Sequence, residues 1–121
     1  MIEDEELVRF SLYSALDEAG HDVFEAADGV EGVSEFKKMV AGSLPPDVII
    51  TDLLMPEKHG YETITEILKI APGTKFIAIS GGGDVDPKVF LDISQALGVK
   101  QVLAKPFTDD ALIDAVNVCL G

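Results

Sequence analysis

Two short runs of apolar, β-favouring residues constrain the fold more than any other feature of this sequence. The first run is Val48-Ile49-Ile50-Thr51, and the second is the KFIAIS segment from Lys75 to Ser80. Neither run alternates polar with apolar residues, as a strand with one solvent-facing side would. Such runs are typical of strands that are buried on both faces, as in a parallel sheet covered by helices.

Amphipathic segments separate these runs and alternate with weaker strand signals. Apolar residues recur at helical spacing in several segments, and glycine or proline ends most of them. Four helices are predicted at about Val8 to Ala19, Val33 to Val40, Tyr61 to Ala71 and Pro87 to Leu97. A last helix is predicted to follow Thr108, its N-cap, and to extend to Cys119. Further strands are predicted at His21 to Ala26 and Gln101 to Ala104. A helix followed by repeated strand–helix units predicts an α/β fold with an open, doubly wound parallel sheet.

The charge balance narrows the range of partners and compartments. The 121 residues include 22 acidic and 9 basic side chains, a formal net charge of -13, and 47% of them are hydrophobic. An acidic surface disfavours nucleic-acid backbones and anionic membranes, and the apolar content is too high for a disordered chain. The single cysteine excludes an intramolecular disulfide, and no apolar run is long enough to span a membrane. The composition therefore predicts one cytoplasmic domain over residues 1–121.

Polar residues stand where the predicted strands end. Asp52, Ser80 and Lys105 end or directly follow three strands, and Glu3 and Asp4 precede the first helix. Because right-handed crossovers bring the carboxyl ends of parallel strands to one edge, we expect these side chains in one crevice. Crowded carboxylates repel, so one must take a proton or a cation must join them, and hard oxygen ligands suit Mg²⁺ better than zinc. A lysine and a hydroxyl beside such an ion suit the oxygens of a phosphoryl group.

Four sequence motifs resemble those of response-regulator receiver domains. They are Ile2-Glu3-Asp4-Glu5, the segment from Ile49 to Pro56, Ile79-Ser80-Gly81 and Lys105-Pro106-Phe107, and the resemblance extends over essentially the whole chain. It implies the flavodoxin-like fold of that family, a five-stranded parallel sheet in the order 2-1-3-4-5 that is flanked by five helices.

The resemblance also implies a function in two-component signalling. Asp52 would take a phosphoryl group from the phosphohistidine of a sensor histidine kinase or of a histidine phosphotransfer protein. Asp4, Asp52 and the backbone carbonyl of Leu54 would bind Mg²⁺ directly, and Glu3 would act through water. Catalysis would extend only to the phosphorylation and dephosphorylation of the chain itself.

Three further residues are implied to contact the phosphoryl group. Lys105 would pair with its oxygens, and the Ser80 hydroxyl and the Gly81 N–H would donate hydrogen bonds to them. The aspartyl phosphate would then switch the surface around the Pro87 helix, the Gln101 strand and the last helix, which would bind a downstream protein.

Three features depart from the family pattern. The strand that should precede Glu3 is reduced to Met1-Ile2, so we expect a start upstream of Met1, or else a lowered stability or a partner chain in the gap. Val102 stands where many receivers have an aromatic residue that moves on activation. Leu54 and Gly82 flank the site without a polar side chain to orient a hydrolytic water, so we expect slow self-dephosphorylation.

Two other functions use part of the same residue set. A phosphatase of the haloacid-dehalogenase kind also has a strand-end aspartate, Mg²⁺, a hydroxyl and a lysine. It needs a second aspartate two residues after the nucleophile, where this sequence has Leu54. A degenerate receiver would bind proteins without being phosphorylated; the reduced first strand favours it, and the complete set of Asp4, Asp52, Ser80 and Lys105 argues against it.

Overall fold

A computed structural model describes residues 1–52, 60–80, 95, 96, 98–105 and 107–121, with residues 60, 61 and 80 described in their backbone only. The helices of this part of the chain are α1 (Glu6–Glu18), α2 (Gly29–Ala41), α3 (Gly60–Ile70) and α4 (Asp109–Leu120). Its strands are β1 (Ile49–Asp52), β2 (Phe76–Ser80) and β3 (Gln101–Ala104). The predicted helix from Pro87 to Leu97 falls outside the described residues, apart from residues 95 and 96, which are helical.

The three strands form one parallel sheet in the order β1-β2-β3. Ile49 is paired with Phe76, and Ile79 is paired with Leu103, so β2 lies between β1 and β3. Every residue of β1 is buried, and Ile77 and Ile79 of β2 have no exposed surface. The prediction of a parallel sheet with strands buried on both faces is confirmed.

Helices cover both faces of this sheet, and each face has its own apolar core. One core joins the sheet to α2 and α3, and its buried residues are Ile2, Ala26, Val33, Phe36, Ile49, Ile64, Ile67, Phe76 and Ala78. The other core joins the opposite face to α1 and α4, and its buried residues are Leu12, Ala15, Leu16, Ile50, Ile77, Ile79, Leu112, Ala115, Val116 and Cys119. Successive strand residues therefore supply opposite cores, as the two-residue period of a strand in a doubly wound sheet requires.

The first residues of the chain lie along the edge of β1 that faces away from β2. Ile2 forms isolated parallel bridges to Ala26 on one side and to Thr51 on the other. This short segment therefore lies between residue 26 and β1. It places Glu3 and Asp4 beside the carboxyl end of β1, before the chain turns into α1.

The predicted strand from His21 to Ala26 does not form. Of these residues, only Ala26 pairs, through its bridge to Ile2. A ladder needs a partner of similar length, and the segment opposite, Met1 to Glu3, is too short to provide one. The described residues contain three strands, and the five-stranded order stays a prediction.

Side-chain caps fix where two of the helices begin. Asp28 Oδ1 accepts the Glu31 N–H over 2.8 Å, so Asp28 is the N-cap of α2, which begins at Gly29. Thr108 caps α4 as predicted, and its hydroxyl oxygen accepts the Ala111 N–H over 3.1 Å. Among the described residues, no helix combines the length and the apolarity that a membrane span requires.

Candidate functional site

Asp52 is the last residue of β1, and backbone hydrogen bonds tie it to the start of the chain. Its N–H donates to the Ile2 carbonyl over 3.1 Å, and the Ile2 N–H donates to the Ile50 carbonyl over 2.7 Å. The Thr51 hydroxyl donates to the Asp52 carbonyl over 3.0 Å. Asp52 is only 2% exposed, so its carboxylate stands at the strand end with little contact to solvent.

Three carboxylates meet at this end of β1. One carboxylate oxygen from each of Glu3, Asp4 and Asp52 lies within 4.8 Å of the others. Glu3 has no exposed surface, whereas Asp4 is half-buried. The Glu3 Oε2 atom also accepts the Asp4 N–H over 3.1 Å. Like charges this close together and this shielded from water require a cation or the protonation of one carboxylate.

Lys105 supplies a cation from the far side of the sheet. It directly follows β3, and its Nζ donates to Glu3 Oε1 over 2.5 Å and to Asp52 Oδ2 over 3.0 Å. A third carboxylate oxygen, Glu5 Oε1, lies 3.5 Å away on the exposed side. The Lys105 side chain is 15% exposed, so most of its charge is compensated by the protein and not by water.

Burial and hydrogen bonding shift the pKa values of the two most enclosed groups. Burial, with a smaller contribution from the Asp52 charge, raises the pKa of Glu3 to about 7, and the Lys105 hydrogen bond opposes that shift. Burial alone would lower the pKa of Lys105, but its hydrogen bonds to Glu3 and Asp52 outweigh burial and raise it. The lysine is therefore charged throughout the physiological range.

The donor set fits a hard divalent cation. All three clustered ligand atoms are carboxylate oxygens, which Mg²⁺ prefers, and none of the clustered residues is the histidine or cysteine that zinc favours. Mg²⁺ usually keeps several waters and takes only one or two carboxylates from the protein. The half-buried Asp4 and the strand-end Asp52 offer such a pair, with Glu3 behind them.

The structure brings together four of the residues that the sequence predicts for the site: Glu3, Asp4, Asp52 and Lys105. The backbone of Ser80 ends β2 and is paired with Ala104, next to Lys105 in the chain. The predictions for the Ser80 hydroxyl, the Leu54 carbonyl, the Gly81 N–H and Gly82 concern parts of the chain that lie outside the description.

Sequence reasoning missed two residues that touch the site. Glu5 contacts Lys105, although its place in the acidic run before α1 gave no sign of which acid would do so. Arg9 donates from Nη1 to the Glu3 carbonyl over 2.9 Å. The available signal was that Arg9 is the sole arginine of the sequence and lies in the first helix, close in the chain to the acidic run.

Comparison with known proteins agrees with this geometry. The family model for the response regulator receiver domain matches residues 1–117. The chemotaxis protein CheY of Thermotoga maritima is 32% identical over 118 residues, which cover 97% of this chain and 92% of that protein. The chemotaxis protein CheY4 of Vibrio cholerae is 26% identical, and its structure superposes with a TM-score of 0.84 over 98% of this chain and 94% of that chain.

A third comparison concerns the fold alone. The CheX–CheY–BeF3–Mg²⁺ complex from Borrelia burgdorferi contains a chain with a TM-score of 0.87 and 20% identity, over 99% of this chain and 86% of that chain. The family match covers nearly every described element. The chain belongs to the response regulator receiver domain family of two-component signalling.

Proposed function

We propose that this chain is a phosphoacceptor: Asp52 takes a phosphoryl group from the phosphohistidine of a sensor histidine kinase or a histidine phosphotransfer protein, with Mg²⁺ as cofactor. The observation that carries the proposal is the contact of Lys105 Nζ with both Glu3 and Asp52 at the end of a buried strand. A carboxylate held there beside a cation and two other acids is arranged for charge neutralisation during phosphoryl transfer.

The transfer requires only one displacement at phosphorus. An Asp52 carboxylate oxygen forms a bond to phosphorus while the bond from phosphorus to the donor's imidazole nitrogen breaks. The bonding electron pair stays on that nitrogen, and the products are an aspartyl phosphate and a free histidine. The transition state spreads charge over the three equatorial oxygens, so the protein contributes mainly positioning and counter-charge.

The described residues divide this work between them. Asp4 and Asp52 would hold Mg²⁺ directly and Glu3 would act through water, and the Leu54 carbonyl, which lies outside the described residues, would be a further ligand. The complete burial of Glu3 and its bond to Lys105 support an indirect role, because they leave it less free to reach an ion than Asp4. When the phosphoryl group arrives, Lys105 exchanges part of its contact with Asp52 for a phosphoryl oxygen.

The remaining groups complete the phosphoryl site and transmit its state. The Ser80 hydroxyl and the Gly81 N–H donate hydrogen bonds to phosphoryl oxygens. The added negative charge then shifts the conformational equilibrium of the surface that binds a downstream protein. The related Borrelia burgdorferi protein, whose structure was solved with CheX, BeF3 and Mg²⁺, supports a partner protein and Mg²⁺ for this fold. The single cysteine suits a reducing compartment, and we expect this chain in the cytoplasm.

Intact-mass spectrometry after incubation with acetyl phosphate tests the proposal. We expect a gain of one phosphoryl mass that depends on Mg²⁺ and disappears in Asp52→Asn. Asp47→Asn is the matched control, because Asp47 is exposed and lies shortly before the same strand. If the wild-type chain gains no mass with Mg²⁺, the degenerate, protein-binding alternative replaces the proposal.

A further inference from the structure

Arg9 connects α1 to the backbone of the segment that carries the clustered acidic residues. Its Nη1 donates to the backbone carbonyl of Glu3 over 2.9 Å, and its Nε lies 4.0 Å from Glu25 Oε1. The Arg9 side chain is 22% exposed, so its guanidinium is largely enclosed between these two partners. Neither contact involves a side-chain oxygen of the three clustered acids.

The carbonyl that Arg9 holds belongs to the peptide group between Glu3 and Asp4. The N–H of the same peptide group is the Asp4 N–H, which donates to Glu3 Oε2 over 3.1 Å. The preceding peptide is fixed as well, because the Glu3 N–H donates to the Ala26 carbonyl over 3.1 Å. Arg9 and the Glu3 carboxylate therefore hold opposite ends of one peptide plane. The orientation of that plane sets the direction in which the Asp4 side chain leaves the backbone.

The start of α1 offers no substitute for this bond. The N-cap residue Glu5 makes no side-chain capping hydrogen bond, whereas Asp28 and Thr108 cap α2 and α4. The loop from Glu3 to Glu5 thus lacks the usual side-chain anchor at a helix entrance, and the guanidinium reaches back along the helix to hold it.

We propose that Arg9 is a positioning residue for the divalent cation: it fixes the Glu3–Asp4 peptide and so aims the Asp4 carboxylate at the ion. The inference rests on the proposed function, since it concerns the same Mg²⁺. Without Arg9 the peptide plane is free to turn, and part of the binding free energy goes into reordering it. Removal of a residue that orients a metal ligand typically costs about tenfold or more in metal affinity, and we expect about tenfold here.

Glu25 separates the two contacts of Arg9. Glu25→Gln removes the ion pair at 4.0 Å but leaves the guanidinium bond to the Glu3 carbonyl. Because a half-exposed pair at that distance is weak, we expect this variant to bind the cation within about twofold of wild type. This result would assign the effect of Arg9 on cation binding to its bond with the Glu3 carbonyl and not to its ion pair with Glu25.

The test measures cation binding directly, without phosphorylation. Mn²⁺ is titrated into the full chain, the free ion is followed by electron paramagnetic resonance, and Mg²⁺ is added as competitor. The variants are Arg9→Met, Arg9→Lys, Glu25→Gln and Lys38→Met, the last of which removes an equal charge from an exposed pair with Glu35. We expect Mg²⁺ affinity to fall about tenfold in Arg9→Met, about threefold in Arg9→Lys, and less than twofold in Lys38→Met.

A second readout separates positioning from a general loss of structure. At saturating Mg²⁺ the rate of phosphorylation by acetyl phosphate should return to the wild-type value in Arg9→Met, because only the Mg²⁺ dependence is changed. Equal Mg²⁺ affinity in Arg9→Met and wild type overturns the inference, and so does an equal loss in Arg9→Met and Lys38→Met. If Arg9→Met fails to fold, an Arg9→Lys variant with unchanged Mg²⁺ affinity overturns it.

The same titration distinguishes this inference from the proposed function. A wild-type chain that binds neither Mn²⁺ nor Mg²⁺ at millimolar concentration contradicts the metal part of the proposed function, and the inference fails with it. A wild-type chain that binds Mg²⁺ and is phosphorylated on Asp52, alongside an Arg9→Met variant of equal affinity, overturns the inference alone.

Discussion

Lys105 Nζ lies 3.0 Å from Asp52 Oδ2, although the two residues are 53 positions apart in the chain. The contact exists because β1 and β3 end at the same edge of the sheet with β2 between them. Only 4% of the Asp52 side chain and 15% of the Lys105 side chain are exposed. The ammonium is thus the counter-ion of carboxylates that water does little to stabilise, which makes the pair important for stability as well as for chemistry.

Replacement of Lys105 by methionine should destabilise the metal-free chain at neutral pH. The substitution removes the ammonium that Glu3 and Asp52 share and leaves negative charge buried at the site, which typically costs about 3 kcal/mol in the free energy of unfolding. Urea unfolding with and without Mg²⁺ measures this effect. Because Mg²⁺ supplies the missing positive charge, it should stabilise Lys105→Met more than it stabilises wild type.

Lys38→Met is the control for this substitution. It also removes one lysine charge, but from an exposed pair with Glu35, and we expect a change of less than about 1 kcal/mol. Equal unfolding free energies for wild type and Lys105→Met would show that the buried carboxylates do not depend on the lysine.

Glu3 should make the stability of the metal-free chain fall as the pH rises. Burial raises the pKa of Glu3 from 4.5 to about 7, so the folded state keeps its proton over a range in which the unfolded state has lost it. The contribution of Glu3 is therefore complete below pH 4.5 and is lost as the pH rises to about 7. Glu3→Gln stays uncharged at every pH. As the pH rises across this range, the difference in unfolding free energy between Glu3→Gln and wild type should therefore shift by about 1 to 3 kcal/mol in favour of the variant.

Parallel urea titrations at several pH values measure this difference. Glu18→Gln is the control, because Glu18 is an exposed acid near the end of α1 and its removal also takes away one negative charge. If the difference between Glu3→Gln and wild type is the same at acidic and neutral pH, the carboxylate does not titrate as its burial implies.

The core and the meeting of the strand ends could be predicted from the sequence because both depend on local pattern. Uninterrupted apolar runs around Ile50 and Ile77 can only be buried on both faces, and parallel strands so buried must bring Asp52 and Lys105 to one edge. No knowledge of side-chain conformation is needed for either step.

The rest depends on tertiary geometry that pattern does not contain. The run of acids that leads into α1 does not reveal that Glu3 is fully buried while Glu5 is mostly exposed. The position of Arg9 could draw attention to it, but its bond to a backbone carbonyl could not be predicted, because every residue offers such a carbonyl. The His21 to Ala26 segment has the composition of a strand but lacks a partner of sufficient length, and pairing is decided by the partner.

Gly32→Ala should destabilise the chain by pressing on the segment that carries the acids. A Cβ at residue 32 of α2 would lie 2.5 Å from Ile2 Cδ1 and 2.8 Å from Ile2 Cγ1, so the Ile2 side chain must move. Overpacking of this kind costs about 1 to 3 kcal/mol, which thermal or urea unfolding measures. Because Ile2 bridges Ala26 and Thr51, Mg²⁺ affinity should fall as well.

Two further variants test that explanation. Gly73→Ala is the control, since an added Cβ there meets nothing within 4 Å. Ile2→Val removes Cδ1, the nearest atom, so Gly32→Ala combined with Ile2→Val should be more stable than the sum of the two single effects predicts. Strict additivity would contradict a steric clash between these two residues.

An apolar extended segment fused ahead of Met1 should stabilise the chain. The Met1 amine donates to the Phe24 carbonyl over 2.9 Å, and the Ala26 N–H donates to the Met1 carbonyl over 2.9 Å, which is the start of a parallel ladder. Beside it lies a cavity of about 380 Å³ that is lined in part by Val23, Phe24, Leu44, Pro46 and Val48. Four apolar residues such as Val-Leu-Ile-Val would extend the ladder and occupy this space, with a gain of about 2 to 4 kcal/mol in the free energy of unfolding.

The pH dependence of this gain identifies its origin. Burial lowers the pKa of the Met1 amine from 8.0 to about 6, against the effect of Glu25, so the unfolded state holds the proton more tightly. The Met1 amine should therefore lower the stability of the unmodified chain as the pH falls from 8 to 6, and the extended chain, whose Met1 nitrogen is an amide, should lack this contribution. A Gly-Ser extension of equal length also removes the amine but supplies no apolar side chains. It should abolish the contribution of the Met1 amine to the pH dependence without the gain at pH 8, and an equal gain from both extensions would rule out filling of the cavity as the cause.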